Sequence, residues 1–132
     1  MTEKALILFA HGARDPEWAR PVEAVATRLR QINPHVPVRV AFLEFMTPTL
    51  PDAVVELCTR HTAAGRGLTD LQIDILPFFI AQGGHVRRDV PEMLSALAVQ
   101  YPDVKLRLLQ SLGELPEVQE AMASAISGLI LA

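Results

Sequence analysis

The sequence predicts an α/β fold, a single doubly wound domain with a four-stranded parallel sheet and helices on both faces. Three observations predict it. Short apolar runs alternate with longer stretches of helical periodicity, in the order βαβαβαβα, over 132 residues. The first run, Ala5-Leu6-Ile7-Leu8-Phe9-Ala10, is apolar without alternation, as a strand buried on both faces must be. No repeat, linker or low-complexity segment interrupts the pattern, so residues 1–132 are read as one domain, long enough to bury a core without disulfide staples.

The elements follow in order. After the first strand, Trp18, Val22, Val25, Ala26, Leu29 and Ile32 recur at helical spacing, which predicts a helix over 17–32, and Asn33-Pro34 ends it. Residues 36–43 read as the second strand, with Pro37 near its start, where a missing donor is tolerated. Thr47 to Pro51 offers a hydroxyl cap and prolines for the first turn of a second helix, continued by Leu50, Val54, Leu57 and Cys58 to about His61. The glycine-bearing stretch 63–69 is a connection. Residues 71–76 form the third strand, and 78–86 read as a long loop containing Gly83-Gly84-His85. Asp89 is expected to cap a third helix running to about Gln100, with Pro91 in its first turn and Met93, Leu94, Leu97 and Ala98 facing inward. Residues 104–109 are the fourth strand, and a largely apolar helix runs from Pro116 to about Leu131.

Composition narrows the function. Lys plus Arg (12) nearly balance Asp plus Glu (15), which is not the balance of a nucleic-acid-binding domain. The one cysteine, Cys58, allows no intramolecular disulfide and no thiolate metal cluster, which suits a reducing, cytoplasmic setting. The N-terminal apolar run of about six residues is too short for a signal-peptide core or a membrane span, so a soluble protein is expected.

Parallel strands bring chemistry to one edge. His11 follows strand one, Glu44 follows strand two and His85 lies after strand three, so all three are presented at the carboxyl edge, where such sheets bind ligands. Two imidazoles and a carboxylate suit a divalent transition ion. Gly83 and Gly84 let the backbone beside His85 approach a ligand closely. Arg14, Arg87 and Arg88 cluster at the same edge of a slightly acidic chain, and arginine suits an anion bearing carboxylate or phosphate groups. Phe79, within Leu76-Pro77-Phe78-Phe79-Ile80, offers an apolar wall against which a flat organic molecule can pack. His35 and His61 fall at the opposite edge and are read as having no part in the site. These residues fit either an enzyme or a non-enzymatic metal carrier or sensor. A carrier needs no pocket for a large flat anion, so the arginine rim and the apolar loop favour the enzyme.

The pattern His11-Gly12-x-Arg14-Asp15-Pro16, then Phe42-Leu43-Glu44 with Pro48, then Pro77-x-Phe79-Ile80-x-x-Gly83-x-His85 with Asp89, resembles the small class II tetrapyrrole chelatases. More narrowly, it resembles the short sirohydrochlorin chelatases that insert cobalt, iron or nickel. The resemblance runs over roughly residues 4–110. It implies a chelatase half-domain acting as a homodimer, with His11 and His85 handling the metal and Glu44 beside them as ligand or base. Ala13 stands where many members carry Ser, and Ile80 where many carry Leu. The metal would be a substrate (Co2+, Fe2+ or Ni2+), so no resident cofactor is implied, and the arginines would meet the carboxylates of the tetrapyrrole. The product would serve cobalamin, siroheme or related cofactor biosynthesis. A histidine phosphatase, which also carries His-Gly after its first strand, needs a basic residue immediately before the histidine, and Ala10 stands there. A broad plate-like substrate needs a second wall. The apolar excess of Leu112, Leu115, Val118, Met122, Ile126, Leu129, Ile130 and Leu131 predicts that a second copy supplies it in a two-fold dimer.

Overall fold

The structure, a computed structural model, describes residues 2–132, and of His85 it describes the backbone alone. Strands β1 (Glu3–Ala10), β2 (Val38–Phe42), β3 (Leu71–Pro77) and β4 (Lys105–Leu108) form one sheet in the order β2-β1-β3-β4. Every pairing is parallel, with Leu8 opposite Val40, Ile7 opposite Ile75 and Ile73 opposite Leu106. Helices α1 (Arg20–Ile32), α2 (Leu50–Ala63), α3 (Gly84–Gln100) and α4 (Pro116–Leu131) follow the strands in turn. The expected α/β architecture is therefore present.

Two cores flank the sheet. Val22 and Ala26 of α1 cover Leu8, Ala10, Val38 and Val40 on one face. Leu50, Val54 and Leu57 of α2, with Val86, Val90 and Leu97 of α3, cover Ile7, Phe9, Ile73 and Ile75 on the other. The chain moves from β1 to β2 in one direction and then crosses back to β3 and β4 in the other. The order thus reverses beside β1, and the carboxyl ends of β1 and β3 bound a topological switch point, the usual place for a ligand in an open α/β sheet. Helix α2 starts after β2 with a reciprocal cap, in which the Thr49 hydroxyl accepts from the Asp52 amide and Asp52 accepts from the Thr49 amide.

Several sequence expectations are corrected. Helix α3 begins at Gly84 with Gly83 as its N-cap, so Asp89 lies inside the helix and His85, Arg87 and Arg88 belong to its first turns rather than to a loop. Pro91 suggested a later start because it lacks an amide. The buried stripe Val86, Val90, Leu94 and Leu97 runs on both sides of it and carries the helix through. Ala98 is exposed, not inward-facing. Residues 16–19 form a 3-10 turn before α1, and Trp18, Val25 and Ile32 are exposed, so only Val22 and Ala26 of the expected apolar face are buried. The paired part of β2 is limited to Val38–Phe42.

The edge strand β4 is fastened by charge. Arg107 donates from Nε and Nη2 to the Asp74 carboxylate at 3.0 and 2.8 Å, and the Gln72 amide donates to the same group at 2.8 Å. Burial resists ionisation of Asp74, but hydrogen bonds from Arg107 and Gln72 and the charges of Arg107 and Lys4 outweigh it and hold the carboxyl below its ordinary value. Helix α4 has no buried residue, and Ile126, Leu129, Ile130 and Leu131 are exposed over most of their surface.

Candidate functional site

The end of β1 is fixed from both sides. The carbonyl of Phe9 accepts from the Phe78 amide at 2.7 Å, that of Ala10 from Leu43 at 2.8 Å, and that of His11 from Glu44 at 3.0 Å. The last two bonds are possible because the chain turns sharply at Gly12, whose φ of +83° is open to glycine. A Cβ there would also overlap the Glu44 carbonyl oxygen. The backbone of His11 is thus locked between the segments that follow β2 and β3.

Its ring is exposed and lies 4.3 Å, centroid to centroid, from the ring of buried Phe79. Neither ring nitrogen has a hydrogen-bond or ion-pair partner among the described residues, which leaves both free to bind a metal or carry a proton. Phe79 is itself held: it contacts Phe9 at 6.4 Å, and its carbonyl accepts from the Gly113 amide at 2.9 Å. Gly113 packs so closely on the Ile80 backbone that a Cβ there would overlap it.

His11 sits in a cleft of about 630 Å³ at the switch point, within the range of about 300–1,000 Å³ usual for small-molecule sites. One side is the start of α1 and the turn before it, from Asp15 to Val22, and the other is Phe78 to Ala81. Most of this lining is apolar. Its carboxylates are both engaged: Asp15 accepts from the Glu17 amide at 3.0 Å, and Glu17 pairs with Arg20 at 2.7 Å.

Of the other candidates, Phe79 also lines the cleft, whereas Glu44, Arg14, Gly83, Gly84, Arg87 and Arg88 are not in its lining. Glu44 is exposed beside the cleft and bound to His11 through its backbone. Arg14 lies over the Phe45 ring, 5.1 Å from its centroid, in a neighbouring depression of about 470 Å³. Arg87 and Arg88 are exposed in the first turns of α3, and Gly83 and Gly84 begin that helix. The backbone of His85 occupies its first turn, after β3 at the same edge, while its side chain lies outside the described part of the structure. Among the described residues, no three His, Cys, Asp or Glu side chains converge to hold a metal ion, and a set including His85 falls outside that statement. At the opposite edge His61 is buried, with Nε2 bonded to the Gly67 carbonyl at 3.0 Å, while Glu3 pairs with Arg66. Among the described residues, no helix is long and apolar enough to cross a membrane.

Ile80, read from the sequence as part of an apolar wall, lines the cleft, and so do Trp18, Pro21 and Ala81, which were not legible as site residues. Trp18 was read as part of the buried face of α1, and the signal against that was Asp15-Pro16, a cap and helix start that place it at the very end of the helix.

Comparison with known proteins agrees with this geometry. The CbiX family model matches residues 5–129. A sirohydrochlorin cobaltochelatase of Methanococcus aeolicus is 30% identical over 94 residues, 71% of this chain and 60% of that protein, so the chain spans about three-fifths of that relative. The crystal structure of a CbiX protein from Marinobacter aquaeolei VT8 superposes with a TM-score of 0.76 at 28% identity, covering 96% of this chain and 97% of that one. The sirohydrochlorin chelatase SirB from Bacillus subtilis subspecies spizizenii, solved in complex with cobalt, shares the fold with a TM-score of 0.69 at 23% identity, over 96% of this chain and 51% of SirB. With most of its length matched by the family model and its overall fold shared with the Marinobacter aquaeolei structure, this chain belongs to the CbiX family.

Proposed function

We propose that the protein is a sirohydrochlorin chelatase, inserting Co2+, Fe2+ or Ni2+ into a metal-free tetrapyrrole. The observation that carries this reading is the apolar cleft at the β1/β3 switch point, with an exposed imidazole in its lining, that of His11, which has no hydrogen-bond partner among the described residues. The name of the Methanococcus aeolicus relative supports the substrate.

The chemistry exchanges two pyrrole protons for one divalent ion. A metal held by few, exchangeable ligands can be passed on to the ring nitrogens, and neutral imidazoles are such ligands. His11 and His85 would hold the ion for transfer to the ring, and an imidazole released from the metal would accept a departing proton. Glu44 completes the metal shell or takes the second proton. Phe79 and the apolar walls receive the macrocycle, Gly83 and Gly84 let the start of α3 come close to it, and Arg14, Arg87 and Arg88 around the rim meet its carboxylates. The metal is substrate, and the reaction needs no resident cofactor. A reducing, cytoplasmic setting suits a chain whose one cysteine is Cys58.

A second copy completes the site. The cleft is open, and Leu129, Ile130 and Leu131 of α4 are 78%, 76% and 82% exposed, an apolar surface that two-fold pairing would cover.

The test is an anaerobic absorbance assay with sirohydrochlorin and each metal, corrected for spontaneous insertion. Enzyme-dependent insertion of at least one metal is the expected result. Metal binding without any binding of the tetrapyrrole would instead identify a carrier.

A further inference from the structure

We propose that Trp18 is the substrate-positioning residue of the cleft, an aromatic plate that stacks on the tetrapyrrole face turned toward α1; the assignment rests on the chelatase reading above. Trp18 is the single tryptophan of the chain, and it is 63% exposed although it is the largest apolar side chain available for burial. Its place in the fold explains why. Val22, one helical turn later, is 1% exposed over the sheet, whereas Trp18 lies beyond the carboxyl ends of the strands, in the cleft wall. The wall is stiff: Asp15 caps the turn, Pro16 opens it, and Pro21 opens α1. Across the cleft, Phe79 is buried but Ile80 is 75% exposed. An indole and an apolar segment thus bound the cleft from two sides, with the exposed imidazole of His11 also in its lining.

A conjugated macrocycle presents two π faces, and an indole offers the largest aromatic area at the entropic cost of only about two torsions. Exposed in the free protein, Trp18 gains this contact only when the ligand is bound. It acts through binding and orientation, not by touching the metal. Because it binds the plate equally before and during insertion, its loss falls on KM rather than on kcat.

The experiment compares wild type, Trp18→Ala and Trp18→Phe. Affinity for metal-free sirohydrochlorin is read from the visible absorbance of the tetrapyrrole, insertion kinetics are measured with a saturating metal, and association state is followed by light scattering. Trp18→Ala should raise both Kd and KM about tenfold, or about 1.4 kcal/mol, with kcat within about twofold of wild type. Trp18→Phe should recover most of the affinity, and both variants should keep the wild-type thermal transition. A wild type that binds and metallates the ring while Trp18→Ala matches its Kd overturns this assignment and leaves the chelatase reading standing. A loss of affinity that tracks a lower association state also overturns it, since Trp18 would then belong to a contact between chains. A wild type that neither binds nor metallates the ring overturns both.

Discussion

The ring of His11 lies 4.3 Å from that of Phe79, and among the described residues this is the contact that orients the exposed imidazole at the cleft. Phe79 is 5% exposed and anchored through Phe9 and the Gly113 amide, so the contact transmits the rigidity of the core to a surface histidine. Phe79→Leu keeps an apolar side chain, smaller by three carbons, and removes the ring. It should cost on the order of 1–2 kcal/mol of stability yet lower kcat/KM severalfold, measured by denaturant unfolding alongside the insertion assay. Unchanged kinetics would show that Phe79 serves packing alone.

Gly12 makes a sharper prediction. Any side chain there meets both the positive φ and the Glu44 carbonyl, so Gly12→Ala must displace the segment that holds His11. The left-handed conformation alone costs roughly 1–2 kcal/mol. Insertion activity should fall far more than stability does, because the displaced residues are those of the site. A fully active Gly12→Ala protein would show that the turn is not needed to place His11.

The Asp74–Arg107 pair predicts an acid dependence. Because folding lowers the Asp74 pKa, its contribution to stability is complete above the unfolded value of about 3.9 and is lost as pH falls through the still lower folded value. Asp74→Asn removes this component. The stability gap between wild type and variant, measured by chemical denaturation, should be constant above about pH 5 and close progressively below about pH 4. A gap that does not change with pH would assign the effect of the substitution to packing.

Helix α4 is tested by charge. Ile130→Glu falls on a residue 76% exposed, so the fold of the single chain should be affected by no more than about 0.5 kcal/mol. If α4 is where two copies meet, the variant should be monomeric at concentrations where the wild type is a dimer, as read by light scattering. A dimer of unchanged strength would move the interface elsewhere.

Much of this was legible in the sequence because it rests on period and polarity. The unbroken apolar run of β1 announced a parallel sheet, and parallel strands alone sufficed to bring the segments after β1, β2 and β3 to one edge. What escaped was whatever depends on where a helix begins relative to the end of the sheet. Trp18 has the spacing of a core residue, yet it falls in the turn before α1 and is exposed. His85 reads as a loop residue because Asp89 and Pro91 look like a helix start, yet the buried Val86 and Val90 draw the helix back to Gly84. One wall, Phe78 to Ile80, was legible as an apolar segment, but its partner was hidden, since that segment meets the start of α1 only through the strand order, which pattern alone does not specify.

The most direct test of the chelatase account is the His11→Ala variant, assayed anaerobically for metal insertion while tetrapyrrole affinity is measured on the same protein. With the cleft walls intact, affinity for the metal-free ring should stay within about threefold of wild type, while enzyme-dependent insertion falls at least about tenfold. Insertion at the wild-type rate with the ring still bound would contradict the account, because the imidazole on which the cleft converges would then have no part in the reaction.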